Sequence, residues 1–240
     1  MVSRGNLVVG LLVSLSVGTL AHGGYLGGEL ALSVASQFVD RGEDIHGGAR
    51  WPVHPSLTVG LEKHGLSASI WGCWATSDRA TTSLCDQLDF SIDFSHDLTR
   101  TSAFSLGGTY SCFPNDTEAG SLEVYAGMSC AVVGSPGIIV FYDTKLLDER
   151  GHQADGWYIS LEAGHSLSTG WRTFDLGASL GIASNDNFDG FQDLNVSVST
   201  HIPAGPITFS PFLTGTFILE DSVNDDVYEL WGGLSMSLGF

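Results

Sequence analysis

Positive charge is what this sequence has least of. Lysine and arginine together number 9 against 27 aspartates and glutamates, for a formal net charge of -18. A chain so short of cations lacks the basic stripe that tracks phosphates, so nucleic acid is excluded as a partner. Charge of either sign is scarce as well: 15% of residues, against roughly 25% in an ordinary soluble domain. Past residue 21 no apolar run approaches the ~20 residues of a membrane-spanning helix. The period of an amphipathic helix is missing from the rest of the chain. The four cysteines and eight histidines never fall into a metal-ligand spacing, so neither a metal nor another cofactor is expected. Nucleophilic catalysis has no footing either. "SHD" (95–97) and "HSLS" (165–168) hold the letters, but His96 and His165 sit on the apolar side of their strands, close to short turns. No enzymatic activity is expected.

What is present begins with a leader. "MVSRGN" carries one cation, Arg4, and an apolar core at 7–20 follows. Thr19-Leu20-Ala21 then supplies small residues where a signal peptidase reads. The expected division is a signal peptide over 1–21 and one domain over 22–240, in an exported protein.

From residue 29 the period is two almost everywhere, the mark of half-buried strands. Twelve runs show it: 29–40, 56–63, 65–76, 84–96, 102–112, 120–131, 138–145, 156–167, 171–183, 191–202, 206–219 and 227–240. The connections alternate in kind. "KHG" (63–65), "DLTRT" (97–101), "VGSPG" (133–137), "STG" (168–170) and "PAGP" (203–206) are tight turns. The connections at 41–55, 77–83, 113–119, 146–155, 184–190 and 220–226 are longer and polar. Short turns at one end and long loops at the other describe an outer-membrane β-barrel.

The faces agree. Leu88, Phe90, Ile92 and Phe94 alternate with Gln87, Asp89, Ser91 and Asp93. A soluble β-sandwich also alternates, but its outer face mixes Lys with Glu. Here the polar face is Ser, Thr, Gly and Asp, which suits a narrow aqueous interior. The fold expected is all-β: a single closed antiparallel up-and-down transmembrane barrel of twelve strands. Trp157, Tyr158, Trp171, Phe191, Phe212, Tyr228 and Phe240 lie near strand ends, where interfacial girdles form.

"ALSVASQFVDRGEDIHG" (31–47) and "SLTVGLEKHGLSASIWGCWATSD" (56–78) resemble the TorF-type porins. The family's aromatic followed by Arg-Gly matches Phe38 and Arg41-Gly42. Its Gly-turn hairpin with a Trp-rich second strand matches His64-Gly65 and "IWGCW". Length and strand rhythm agree with the family over nearly the whole mature chain. The resemblance implies an outer-membrane barrel, a channel, and supplies no substrate and no catalytic residues.

Candidate residues follow from parity. Glu62, Asp89, Asp93, Glu123, Asp143, Glu162, Asp175, Asp193 and Glu229 share the polar face, opposed mid-strand by Lys145. As pore-lining groups they favour cations over anions; otherwise they hydrate the lumen and brace against Ser and Thr. Twelve strands enclose less than a sixteen-stranded porin, so a narrow passage for small solutes is expected. The 41–55 loop, with Arg41, Glu43, Asp44, His46 and Arg50, is a constriction folded inward or else an ordinary surface loop. Cys73 and Cys85 share the inner parity on adjacent strands and are a candidate disulfide; Cys112 and Cys130 are expected as free thiols. Loop acids such as Asp186 with Asp189, and Asp221 with Asp225 and Asp226, are candidates for bridging divalent ions to lipopolysaccharide. The functional expectation is passive diffusion of small solutes with a cation bias; the alternative is a non-conducting structural or adhesive barrel with a plugged lumen. Outer-membrane lipid and lipopolysaccharide are the expected surroundings. The barrel assembly machinery is an expected partner, because the terminal Phe240 resembles an aromatic assembly signal.

Overall fold

A computed structural model of the chain describes residues 26–45, 51–74, 76, 86–145, 156–185, 188–224 and 226–240. The leader at 1–21, His46, Arg50, Cys85, Asp186 and Asp225 lie outside the described residues.

Twelve strands among the described residues form one sheet closed on itself. They are β1 Gly27–Ala35, β2 Val53–Leu61, β3 Leu66–Trp74, β4 Asp86–Asp97, β5 Ser102–Phe113, β6 Asp116–Cys130, β7 Gly137–Lys145, β8 Gly156–Ser168, β9 Thr173–Asn185, β10 Asp189–Thr200, β11 Ile207–Ile218 and β12 Tyr228–Gly239. Ile202–Ala204 extends the β10–β11 hairpin. Every strand pairs antiparallel with the next, and β12 pairs with β1 to close the ring, Leu30 opposite Leu238 and Val34 opposite Leu234. Closure removes the exposed sheet edge that would otherwise carry unpaired N–H and C=O groups.

Alternation sorts the side chains by face. Outward residues form an apolar belt that includes Leu30, Ile70, Phe90, Ile92, Leu106 and Leu234, all exposed. Exposed large apolar side chains recur on every strand of the sheet, where a soluble monomer exposes only limited patches. Inward residues are buried or half-buried and largely polar, among them Ser33, Asp89, Ser91, Thr109, Glu123, Ser160, Ser179, Asp193 and Thr216.

The short turns use the expected residues. Gly65 closes β2 to β3 at φ 62°. A Cβ there would strike the Ser95 carbonyl, so both the backbone angle and the close approach require glycine. At the opposite end the β5–β6 connection is shorter than the 113–119 loop expected from composition. Ladder pairing continues to Phe113 and resumes at Asp116, with an irregularity at Cys112/Phe113. Polar residues in a hairpin arm and polar residues in a loop have the same composition; only pairing tells them apart.

The largest departure lies after β1. The alternating run at 29–40 predicts one strand, yet β1 ends at Ala35 and the chain turns into the lumen. Val39–Asp40 and Glu43–Asp44 pair as a small inner hairpin. Its two turn residues, Arg41 and Gly42, have φ of 49° and 85°, the pair of positive values that a two-residue primed turn demands. Continued parity would aim Phe38 at the outer surface. Instead it is buried inside against Trp71 and Cys73, with Ile45 beside them. Val39 packs with Ala35 and Trp231. The wall supplies apolar partners on its inner face at this level, and two adjacent apolar side chains cannot both be served by one face of a strand.

Two residues of the expected aromatic girdle also face inward. Trp157 and Trp171 are 52% and 75% exposed, but Tyr158 is only 8% exposed. Phe212 packs edge-on against Trp231 inside. Trp157 and Tyr158 are consecutive in a strand, so only one of them can face out.

Candidate functional site

The inner hairpin places Arg41 deep in the barrel. Its Nη1 donates to Asp143 Oδ2 at 2.8 Å, and Nη2 donates to Glu123 Oε2. The guanidinium carbon lies 4.8 Å from the centre of the Phe141 ring and 4.5 Å from that of Tyr158. Both carboxylates and both rings come from three consecutive strands, β6, β7 and β8. Glu123 stands opposite Asp143, and Phe141 opposite Tyr158. Burial works against the charge on Arg41, yet Glu123, Asp40 and Asp143 outweigh it and hold the guanidinium charged well beyond its usual range. Asp40 next door is pushed above the ordinary carboxylate range, chiefly by desolvation, with Arg41 pulling the other way and Asp143 adding to the rise. Glu43 is raised by burial and then by the charges of Asp40 and Asp44.

The hairpin is tethered from other directions as well. Gln192 Nε2 donates to the Arg41 carbonyl at 2.7 Å, Asn224 Nδ2 to the Gly42 carbonyl at 3.2 Å, and Gln37 Nε2 to Glu229 at 2.7 Å. The Gln192 contact depends on a β-bulge. Gly181 pairs with Asp193 and Ile182 with Phe191, so Gln192 is the extra residue in β10. A bulge re-aims a side chain that strict alternation would send outward. Asp193 lies beside it, buried, and accepts from Tyr158 at 3.0 Å and from Asn195 at 2.7 Å. The chain of bonds continues from Thr216 to Asn195 at 2.7 Å and from Trp231 to Thr216 at 3.2 Å. One connected network thus runs around the wall from β8 to β12, and it fixes the Tyr158 ring beneath the guanidinium.

Four of the remaining sequence candidates, Asp89, Asp93, Glu162 and Asp175, are spread over the inner wall. Asp89 accepts from Gln87 at 2.9 Å and 3.1 Å. Asp93 accepts from Tyr125. Glu162 accepts from Ser160 at 3.4 Å, and Asp175 from Ser166 at 2.6 Å. Glu62 begins a single helical turn, Glu62–His64, at the short-turn end, and Lys145 ends β7; their side chains are outside the described residues. Glu43 and Asp44 lie on the second arm of the inner hairpin. Cys73 is buried inside the barrel; its expected partner Cys85 is outside the described residues. Cys112 and Cys130 are free thiols.

Sequence reasoning missed the inward aromatics Phe141, Tyr158, Tyr125 and Trp71, together with His54. His54 is buried, with its ring 5.2 Å from that of Phe38 and 5.4 Å from that of Trp71. The signal was available: His54 shares even parity with Ser56 and Thr58, but a strand begun at 56 leaves it in a loop.

One further constellation was not expected. His201 Nδ1 is 2.8 Å from Ser210 Oγ, and its Nε2 is 3.5 Å from Asp175 Oδ2. The letters are those of a hydrolase, but the imidazole is 62% exposed. Ser210 is followed by Pro211, which has no N–H to stabilise an oxyanion. The arrangement reads as polar cross-bracing at the short-turn mouth.

No family model matches the chain, and no curated protein matches it. Solved structures do. The KdgM porin, seen in complex with disordered oligogalacturonate, aligns with a TM-score of 0.55 at 8% identity, covering 89% of this chain and 99% of that one. The NanC porin aligns with a TM-score of 0.54 at 15% identity, covering 87% and 98%. An outer-membrane channel from Pseudomonas putida F1 gives 0.53 at 10% identity, covering 90% and 95%. At such identities the likeness is one of fold: a porin-like closed barrel over almost the full length of each partner.

Proposed function

We propose that the chain is a bacterial outer-membrane channel for passive diffusion of small solutes, with a preference for cations. The observation that carries the reading is the barrel's division of surfaces. An apolar belt faces outward, and an inner wall bearing Asp89, Asp93, Glu123, Asp143, Glu162, Asp175, Asp193 and Glu229 faces a lumen. Rings of fixed negative charge concentrate cations and repel anions by electrostatics alone. Similarity in fold to porins supports the same reading, and so does the resemblance of the first two hairpins to TorF-type porins. Lipid and lipopolysaccharide are the surroundings this belt fits, and the barrel assembly machinery is the partner that would place it there. The inner hairpin acts as the constriction, with Arg41, Glu43 and Asp44 inside the barrel. Reversal potential across a planar bilayer under a salt gradient tests the proposal. A cation-directed potential is expected; a zero or anion-directed value removes the cation preference.

A second reading is a non-conducting barrel. It is favoured by the packing of Phe38 against Trp71 and of Val39 against Trp231, which is that of a seated plug. Absence of any conductance from refolded protein would select it.

A further inference from the structure

The patch that holds Arg41 has properties of its own. Glu123 and Asp143 are direct cross-strand partners on β6 and β7, and Phe141 and Tyr158 are direct partners on β7 and β8. Two acids and two rings are therefore built into the barrel wall. The guanidinium they hold is not part of that wall; it arrives on the separate hairpin after β1. Like charges directly opposite one another on neighbouring strands repel. Carboxylates withdrawn from bulk water also need a counter-charge. The wall thus favours a cation here whether the hairpin is seated or displaced. A solute passing the constriction meets this pair of acids, and a cation that displaces Arg41 can take its place.

We propose that Glu123, Asp143, Phe141 and Tyr158 form a recognition site for small solutes bearing a guanidinium group, and that Arg41 occupies it in their absence. The inference rests on the channel reading above and names the solute class for that lumen. The chemistry of the patch selects the guest. A guanidinium is planar and weakly hydrated, stacks on aromatic faces and forks to two carboxylates. Arg41 makes all of these contacts at once. A primary ammonium is a strongly hydrated point charge, and a hydrated metal ion gains nothing from two ring faces. Because Arg41 is tethered, it competes as an intramolecular ligand at an effective concentration on the order of millimolar. A free solute displaces it only above that level, which makes the site a threshold sensor for its own solute.

The test uses the full chain refolded in detergent and in planar bilayers, as wild type and as Arg41→Ala. The probes are ethylguanidinium, ethylammonium and magnesium at equal ionic strength. In the R41A protein ethylguanidinium is expected to raise the unfolding midpoint and block conductance at a concentration about tenfold below that of ethylammonium, one factor of ten being one good contact. Adding Glu123→Gln to R41A is expected to abolish the difference. If R41A does not fold, the wild type carries the test: ethylguanidinium is then expected to alter conductance at millimolar levels where ethylammonium does not. Equal action of the two organic ions, or stronger action of magnesium, overturns the proposal while leaving the channel intact. A selective midpoint shift with no conductance in either protein does the reverse: the site stands and the channel reading falls.

Discussion

Glu123 and Asp143 stand directly opposite each other on β6 and β7, and a single guanidinium, that of Arg41, donates to both. Geometry of this kind depends on a fork and not on charge alone. Arg41→Lys keeps the charge but can serve only one carboxylate well. Losing one charge-assisted bond costs about 1.5–3 kcal/mol, while removing the cation altogether costs about 3–5 kcal/mol by stranding two enclosed acids. The unfolding midpoint in detergent should therefore rank wild type above R41K and R41K above R41A. Equal midpoints for R41K and wild type would show that the fork contributes nothing.

Gln192 gives a second handle on the hairpin, because it is the extra residue of a bulge. Deleting it should restore plain alternation, with Phe191 still outward and Asp193 still inward. The barrel should fold, losing the side-chain bond to the Arg41 carbonyl and the backbone bond from Leu219 N to the Gln192 carbonyl, each worth about 1 kcal/mol. Greater open-channel current noise with unchanged strand content by circular dichroism is the expected result. Failure of the deleted protein to fold would mean that the bulge is needed for closure.

The pH behaviour of the hairpin follows from Asp40. Its pKa is raised in the folded barrel, so the folded state prefers the protonated acid. The stabilisation belonging to this group is present below its unfolded pKa and is lost as pH rises through the raised folded value. Asp40→Asn mimics the protonated form. It should therefore be more stable than wild type at neutral pH, and the gap should close as pH falls into the carboxylate range. Comparing midpoints of the two proteins across that range isolates Asp40 from the other acids. A gap that widens in acid would mean that the folded barrel prefers the ionised acid.

Strand count, strand order and the division into two faces were legible in the chain, because a period of two survives any detail of packing. Parity also separates Glu123, Asp143 and Asp193 from the apolar positions without reference to height. Their convergence on one cation was not legible: it depends on register between strands and on a segment that leaves the wall. Phe38 shows why. Its parity continues that of Val34, so nothing local marks the departure; only the consecutive apolar pair Phe38-Val39 and the Arg-Gly turn beyond it hint at one. The Tyr158 misassignment has the same root, since an aromatic near a strand end serves a girdle or a lumen equally well until its neighbour Trp157 takes the outer side. Gln192 lies beyond parity entirely, since a bulge is a break in the pattern.

Selectivity should be separable from the hairpin. Glu162 and Asp175 lean on Ser160 and Ser166 rather than on Arg41. Neutralising both, as Glu162→Gln with Asp175→Asn, removes fixed charge but leaves the constriction in place. The cation-to-anion permeability ratio should fall by about two- to threefold, consistent with pairs of charges screened over a ~10 Å Debye length. Conductance at high salt should hardly change. A ratio unaffected by the double variant would place the selectivity elsewhere in the lumen.

The seam between β1 and β12 offers a last test. Gly28 and Phe240 exchange two backbone bonds of 2.9 Å each. The Phe240 ring also lies over Gly28, where a Cβ would come within 2.6 Å of it. Covering a strand glycine with an aromatic recovers apolar contact that glycine cannot make for itself. Phe240→Ala keeps the backbone pair and loses only the ring, so refolded barrels should lose about 1–2 kcal/mol. Gly28→Val expels the ring and also crowds the Thr58 carbonyl, 3.0 Å from the added Cβ, so it should destabilise the barrel more. If Phe240 also serves as an assembly signal, F240A should lower the amount of folded protein in cells far more than its small change in midpoint explains. Proportional losses in the two measurements would reduce Phe240 to a cover for Gly28.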